Sequence, residues 1–253
     1  MKKILRLCLL LSALLLTACA TPQNNYDPLE SINRPIHRFN DTVDRYALKP
    51  VATGYRDYTP KPVKTGIGNF FGNISDLFTI PPALLQGKLY EAEVNLIRVV
   101  VNTTVGVAGL FDVASKMDMP KAEADYGQTL AKWGVGAGPY LVLPFLGPTS
   151  ARDTINPITS FAINGPTTLI NDWGGKAAYI GTNAIHIRAQ LLPLDRMLAD
   201  QPDPYAYMRD AWLQRRWNQV HDGDPPHPLP MGDEEEELLS EPDSAITPTS
   251  AKP

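Results

Sequence analysis

The chain is poor in cysteine, in paired histidines and in catalytic motifs. Its 253 residues include two cysteines, both within the first nineteen positions, which excludes a disulfide framework or a cysteine metal site in the remainder. None of the four histidines (His37, His186, His221 and His227) has a partner four residues on, so a helical metal-ligand pair is absent. The sequence also lacks a Gly-x-Ser-x-Gly elbow and a Walker loop. These absences predict no cofactor, no metal and no catalytic residue.

Charge is unevenly distributed along the chain. The formal net charge is −4, yet the segment from Asp222 to Pro253 holds nine acidic residues and one lysine. The region before it is nearly neutral and has no basic stripe, which argues against a nucleic-acid partner. The acidic segment is rich in proline and contains the run Glu234–Glu237, so residues 222–253 are predicted to form a disordered tail.

The N-terminus has the pattern of a secretory signal that ends at a modified cysteine. A basic start precedes an apolar run from Leu7 to Leu16, which is too short to cross a bilayer as a stable helix. Leu16-Thr17-Ala18-Cys19 resembles a bacterial lipobox, so residues 1–18 are predicted to be removed and Cys19 to be acylated. By resemblance to enterobacterial lipoproteins, Ala20 after the cysteine favours sorting to the outer membrane. The alternative is an ordinary secretory signal that happens to hold a cysteine.

A polar tether at residues 19–26 and one domain at residues 27–221 are predicted to follow. In Asp27-Pro28-Leu29-Glu30 the pattern is that of a helix start, with Asp27 as N-cap and Glu30 completing a capping box. Pro35 predicts a kink, or two helices that meet at Asn33-Arg34. Spacings of three and four place the following apolar residues on one helical face: Leu29, Ile32, Ile36, Phe39, Val43 and Tyr46.

Three further helices are predicted downstream. They span Lys88–Thr104, which Gly106 closes, Trp173–Leu191, and a segment that Asp203-Pro204 caps. In the last of these, Arg215 and Arg216 suit the negative end of the helix dipole. No run of period two is bounded by hairpin turns, so the core is predicted to be mainly α.

Three long segments carry little or no charge: Gly66–Gly87 with only Asp76, Trp133–Ala151, and Thr154–Asn171. Repeated glycines and prolines exclude an uninterrupted membrane helix at Trp133–Ala151, because irregular backbone in lipid leaves unpaired amides. These segments form either the core of a soluble domain or a groove or pore in a protein seated within one leaflet. Composition alone favours the soluble core, whereas a lipid anchor at Cys19 favours the leaflet.

Charged residues at two places outside these segments are candidates for a functional role. Arg98 lies among Val and Ile residues; it is either a functional cation inside a groove or a side chain that snorkels to water. Arg152-Asp153 has the residue types of a catalytic pair, but such a pair is more often a local hydrogen-bond clamp near a helix start.

From Asp27 to about Trp217 the chain resembles the MlaA/VacJ family of outer-membrane lipoproteins. The order of many short motifs carries the resemblance: Asp27-Pro28-Leu29-Glu30, Asn33-Arg34, Phe39-Asn40, Pro50-Val51-Ala52, Asn69-Phe70-Phe71-Gly72-Asn73, Leu85-Gln86-Gly87, Asn102-Thr103, Gly109-Leu110-Phe111-Asp112-Val113-Ala114, Gly127-Gln128-Thr129-Leu130, Gly134-Val135-Gly136, Gly138-Pro139-Tyr140, Leu143-Pro144, Gly147-Pro148, Arg152-Asp153, Arg188-Ala189-Gln190-Leu191-Leu192 and Asp203-Pro204-Tyr205.

The resemblance implies a single ring-like helical domain seated in the inner, periplasmic-side leaflet of the outer membrane, with a central polar channel. It implies association with a trimeric porin, removal of stray phospholipid from the outer leaflet and delivery to a soluble periplasmic lipid carrier. The alternatives are a phospholipase that clears the same lipid and a porin-associated scaffold that moves nothing.

Eight residues are assigned to the channel or lipid path. The glycine-rich turn provides Gly134, Gly136 and Gly138, because glycine permits close backbone approach and positive φ; tight helix packing is the alternative role for these glycines. The supporting residues are Phe39, Asn40, Asn69, Phe70 and Phe71.

Overall fold

The computed structural model describes residues 20–21, 24–160 and 166–229. The predicted signal at residues 1–18, the acylation site Cys19 and most of the predicted tail lie outside the described residues, so these assignments stay predictions.

The described chain is mainly helical, as the sequence predicts. Its elements follow in the order α1 (Glu30–Val43), α2 (Lys49–Tyr58), α3 (Lys61–Leu85), α4 (Leu89–Thr104), α5 (Tyr126–Lys132), β1 (Tyr140–Leu143), β2 (Gly147–Ser150), α6 (Ile155–Ile158), α7 (Trp173–Leu191), α8 (Asp195–Ala199) and α9 (Pro204–Val220).

The first helix departs from the prediction in two ways. It runs through Pro35 without dividing, and a π-helical turn at Asp44–Leu48 joins it directly to α2, so the expectation of two helices meeting at Asn33-Arg34 is wrong. Asp27 does not cap α1. Its buried carboxylate instead accepts hydrogen bonds from Asn33 Nδ2 at 2.7 Å and from the Tyr205 hydroxyl, so it ties the start of the domain to α9.

The charge-poor segment Gly66–Gly87 lies almost wholly in α3. The chain turns after α3, and α4 packs along α3. The prediction of a helix over Lys88–Thr104 is confirmed within one residue by α4. Gly106 lies two residues past the end of α4, and a Cβ atom there would lie 2.2 Å from the Phe111 carbonyl oxygen. Only glycine therefore fits the turn that ends this helical pair.

The C-terminal helices are confirmed. α7 has the predicted bounds Trp173–Leu191. Asp203 caps α9 by accepting hydrogen bonds from the backbone N–H groups of Tyr205 and Ala206. The Arg34 guanidinium beside Asp203 holds the pKa of that carboxyl at about 2.

A two-stranded hairpin is the element that the sequence did not reveal. β1 and β2 pair antiparallel, with Tyr140 opposite Ser150 and Leu143 opposite Gly147. β1 is a continuous apolar run and β2 contains Gly147-Pro148, so neither strand shows period-two alternation. The lack of a period-two run in the sequence therefore did not reveal this hairpin, although the prediction of a mainly α core holds.

The largest cluster of buried apolar residues joins the hairpin to α9. It contains Tyr140, Val142, Tyr205, Leu213 and Leu229. Because Leu229 is buried in this cluster, ordered packing continues past residue 221, where the domain was predicted to end. Tyr26, from the predicted tether, packs against the same cluster.

Candidate functional site

Large apolar side chains lie on the outside of the helices. On α1, Ile32 and Phe39 of the predicted apolar face are 56% and 45% exposed, whereas Ile36 of the same face packs against the buried cluster around Tyr140. Along α3 and α4 the exposed apolar side chains include Phe70, Leu77, Leu84, Leu89, Leu96 and Val100. Among the described residues, no helix is both long and apolar enough to cross a bilayer. The outer surface of α1, α3 and α4 is therefore rich in exposed apolar side chains.

The interior between α3 and α4 holds a charged cluster. Arg98 is buried and donates to Asp76 Oδ2 at 3.0 Å, to Ser115 Oγ at 3.1 Å and to the Met119 carbonyl at 2.7 Å. Lys121 Nζ lies 2.9 Å from the other oxygen of Asp76 in an ionic contact. The expectation that Arg98 snorkels to water is wrong, because its guanidinium is paired inside the protein.

The loop after α4 is fixed to this cluster through Asp112. Its carboxylate lies 3.3 Å from Arg98 Nη2 and accepts hydrogen bonds from Ser115 and Asn102. Burial alone raises the pKa of Asp112, but these hydrogen bonds outweigh it and hold the pKa at about 2. The side-chain oxygen of Asn102 accepts from the backbone N–H groups of Val113 and Ala114.

A second charged cluster joins α5, the segment after β2 and α9. Arg216 donates to both Asp125 oxygens at 2.6 and 2.7 Å and to Asp153 Oδ1 at 2.7 Å. Asp153 also accepts from Ser150 and Arg152. Burial raises the pKa of Asp153, yet the hydrogen bonds from Arg216 and Arg152 bring it below its ordinary value. Arg152-Asp153 is therefore a structural clamp, as the more common role predicts.

The structure places Phe39 and Asn40 against the hairpin turn. Asn40 Nδ2 donates to the Leu143 carbonyl at 2.9 Å, and the Phe145 N–H donates to Asn40 Oδ1 at 2.8 Å. Phe39 packs edge-on against Phe145 with ring centroids 5.2 Å apart. Phe145 has φ +63°, an uncommon value for a non-glycine residue, so Asn40 holds a strained turn.

Asn69, Phe70 and Phe71 lie together on α3 with different neighbours. Asn69 Nδ2 donates to the Leu110 carbonyl at 3.0 Å. Phe71 packs edge-on against Tyr179 of α7, with centroids 5.1 Å apart. Burial raises the pKa of Tyr179 to about 12.

The glycine-rich turn is an exposed connection between α5 and β1. Gly134 and Gly138 have φ of +87° and +67°. A Cβ atom at Gly134 or Gly136 would meet nothing within 4 Å, whereas at Gly138 it would lie 2.9 Å from the Ala151 side chain. Tight packing therefore accounts for Gly138 alone. The eight assigned residues fall into three groups with separate neighbours, and their role in a lipid path stays a prediction.

Three of the histidines in the described segments, His186, His221 and His227, form hydrogen bonds, and His37 packs edge-on against the Tyr205 ring. His186 is buried, with Nδ1 2.9 Å from the Tyr55 hydroxyl and Nε2 2.8 Å from Gln190; burial lowers its pKa. Residues 20–21, 24–160 and 166–229 contain no group of three His, Cys, Asp or Glu side chains placed to hold a metal ion.

Sequence analysis missed the polar interior. Asn33, Asp76, Asn95 and Asn102 are all nearly inaccessible to solvent, and none was assigned to a site. Asp76 could have indicated this polar interior, because it is the lone charged residue of a 22-residue segment. A charge buried among apolar residues requires an internal partner.

An apolar helical exterior around paired buried charges is typical of a lipid-associated protein. Known proteins that are similar in sequence identify the family within this class. The MlaA lipoprotein family matches residues 25–219, and the chain belongs to this family.

Named relatives and a solved structure agree with this assignment. The chain is 36% identical to the "Intermembrane phospholipid transport system lipoprotein MlaA" of Escherichia coli K12 over 82% of its own length and 85% of the relative. Identity to the Haemophilus influenzae protein of the same name is 33%, over 85% and 89% of the two chains. A solved structure that concerns "maintenance of bacterial outer membrane lipid asymmetry" is 36% identical, with a TM-score of 0.66, and the match covers 77% of this chain and 98% of the other.

Proposed function

We propose that this chain is an outer-membrane lipoprotein that removes mislocalised phospholipid from the outer leaflet and thereby maintains lipid asymmetry. The observation that carries the proposal is the combination of many exposed apolar side chains on the helices with Arg98, Asp76 and their partners buried between α3 and α4. The exterior suits hydrocarbon, and a polar interior suits a charged headgroup, which is costly to strand in hydrocarbon. The names of the relatives refer to intermembrane phospholipid transport, which supports transport of phospholipid as the role of this chain.

The domain is proposed to sit in the periplasmic-side leaflet as a ring around a polar channel, with Cys19 as its lipid anchor. A trimeric porin and a soluble periplasmic lipid carrier are the proposed partners. The chain is proposed to bind and conduct lipid without a chemical step, in line with the transport role in the names of its relatives. Energy for directed transport comes from the partners.

Loss of the chain provides the direct test. In cells that lack it, phosphatidylethanolamine accessible to a membrane-impermeant amine reagent is expected to rise, and the full chain is expected to restore the normal level. An unchanged labelling level would contradict the proposal. Hydrolysis products of phospholipid that appear only with the chain present would favour the phospholipase alternative.

The anchor is tested with Cys19→Ser. The variant is expected to lose acylation and to leave the outer-membrane fraction, because no described helix spans a bilayer. Membrane fractionation and mass measurement of the intact protein report the two effects. Full retention of the unacylated variant would refute Cys19 as the sole anchor.

The glycine-rich turn is tested with Gly136→Val. A side chain at this position meets open space, and its φ is not left-handed, so the variant is expected to fold, to be acylated and to co-purify with porin. If this turn lines the lipid path, outer-leaflet phospholipid rises in the variant. Normal outer-leaflet phospholipid in that variant would refute the assignment.

A further inference from the structure

A cavity of about 360 Å³ lies between β2 and α9. Its lining combines apolar side chains, including Leu146, Pro148 and Trp212 (the apolar wall), with polar side chains, including Asn156, Arg215 and Gln219 (the polar wall). The volume falls in the range of small-molecule sites. A lining of both kinds suits an amphiphile, which has a polar group and hydrocarbon.

The polar wall offers donors, because its amide oxygens are already engaged. Asn156 Oδ1 accepts from the Gly127 backbone N–H at 3.0 Å. Gln219 Oε1 accepts from Arg216 Nη1 at 3.3 Å. Both partners can only donate, so the amide orientations are fixed and each side chain keeps an NH₂ group as a donor.

The charge balance of the wall also favours an anion. The carboxylate of Asp153, which borders the cavity, already accepts from Ser150, Arg152 and Arg216. Arg215 is exposed and has no acidic partner within the described segments. The Nε atom of buried Arg216 has no hydrogen-bond partner. Within the described part of the chain, the wall thus holds one cation without an acidic partner, together with the donor NH₂ groups of Asn156 and Gln219.

We propose that this cavity binds the phosphodiester headgroup of a glycerophospholipid, with Arg215, Asn156 and Gln219 as its donors. The proposal rests on the proposed function and adds a headgroup site that none of the assigned channel residues forms. A phosphoryl anion is the shared chemistry of a lipid headgroup and free phosphate.

The apolar wall favours the lipid over free phosphate. Leu146 is half exposed and adjoins the exposed ring of Phe145 at the hairpin turn. An acyl chain that leaves the headgroup can lie along Leu146 and Pro148 and out over this turn. Free phosphate gains nothing from that surface, and apolar burial contributes about 25 cal/mol per Å².

Calorimetric titration of the full detergent-solubilised chain tests the site, with dihexanoyl phosphatidylglycerol, glycerophosphate and inorganic phosphate as separate probes. The short-chain lipid is expected to bind most tightly. Arg215→Gln is expected to weaken its binding about tenfold, since a charged hydrogen bond is lost. Arg196→Gln is the matched control, because Arg196 is an exposed arginine of α8 outside the cavity.

Two isosteric variants separate binding from folding. Asn156→Asp keeps the acceptor for the Gly127 N–H, and Gln219→Glu keeps the acceptor for Arg216, while each replaces a donor with negative charge. Both are expected to fold with unchanged helix content and to lose at least tenfold in lipid affinity. Equal affinity in these variants, in Arg215→Gln and in the wild type would overturn the proposal.

The three probes identify the source of the anion. Tighter binding of the short-chain lipid supports the lipid site, whereas equal affinity for inorganic phosphate overturns it in favour of a free-phosphate site. Calorimetry does not depend on transport, so the site can be refuted while outer-leaflet labelling still supports the proposed function. Conversely, an unchanged labelling level in cells without the chain refutes transport and leaves the binding result standing.

Discussion

Replacement of Asp76 by Asn is expected to destabilise the domain far more than a surface charge change does. The Asp76 side chain is 1% exposed and that of Arg98 is 3% exposed. Asparagine is isosteric, so it leaves no cavity; the cost arises because Arg98 loses its 3.0 Å ionic partner inside the protein. Removal of one member of a buried pair costs about 3–5 kcal/mol. The contact of Arg98 with Asp112, at 3.3 Å, places the expected loss near 3 kcal/mol.

Guanidinium unfolding of the detergent-solubilised chain, followed by tryptophan fluorescence, measures this loss. Asp57→Asn is the control, because Asp57 pairs with Arg56 at the surface and both side chains are about half exposed. Because that pair is exposed to solvent, its loss is expected to change the free energy of unfolding very little. An Asp76→Asn variant no less stable than the control would refute the reasoning.

A double replacement isolates the pairing itself. Asp76→Leu with Arg98→Met substitutes apolar side chains for both charges, and such replacements of buried pairs are often close to neutral. The double variant is expected to be at least about 2 kcal/mol more stable than the sum of the single losses predicts. Additive losses would show that the two charges are not coupled.

Three further predictions follow from local geometry. Gly106→Ala is expected to cost about 3 kcal/mol or more, because its Cβ would overlap two backbone oxygens, whereas Gly136→Ala is expected to leave the unfolding midpoint unchanged; equal midpoints would contradict this. Asn40→Ala removes two hydrogen bonds to the hairpin turn, so about 2 kcal/mol of local stability should be lost and the Phe145 amide should exchange faster with deuterium. The depressed pKa of Asp112, about 2, contributes stability that is present above its ordinary value of 3.8 and is lost as pH falls through 2; up to roughly 2 kcal/mol is expected, and an Asp112→Asn variant with the same acid unfolding curve would refute it.

The sequence predicted the helices well where local signals were complete. Trp173–Leu191 and the Asp203 cap were found because side-chain caps and breakers mark their ends. Asp27 looked equally like a cap, but long-range hydrogen bonds with Asn33 and Tyr205 claim its carboxylate. No local pattern contains a partner 178 residues away.

The spacing of apolar residues predicted an apolar face on α1 but not whether that face is buried or exposed. A repeat of three and four predicts that one side differs from the other, and only the surroundings decide which side is buried. Ile32 and Phe39 are exposed while Asn33 is buried, and Ile36 packs against the core, so the apolar face of α1 is only partly turned toward the interior. The hairpin was missed because its strands do not alternate.

Sequence reasoning likewise found some residues of the candidate site and missed others. Family resemblance selected residues such as Asn40 whose contacts the structure then supplied, whereas Asn102 and Asp76 were passed over. A lone charge in a long neutral segment was visible in the sequence. Its partners Arg98 and Lys121 lie 22 and 45 positions away, and only the packing of α3 against α4 brings Arg98 within reach of it.

The cluster around Tyr140 and Tyr205 makes the two ends of the domain leave from one place. Tyr26 and Leu229 both pack there. Cys19 precedes Tyr26 by seven residues, and the acidic run that begins at Asp233 follows Leu229 by four; at about 3.5 Å per residue, neither can stray more than about 25 Å from this corner. If Cys19 carries acyl chains, the corner at which the chain leaves the domain after Leu229 is therefore also held close to the membrane surface.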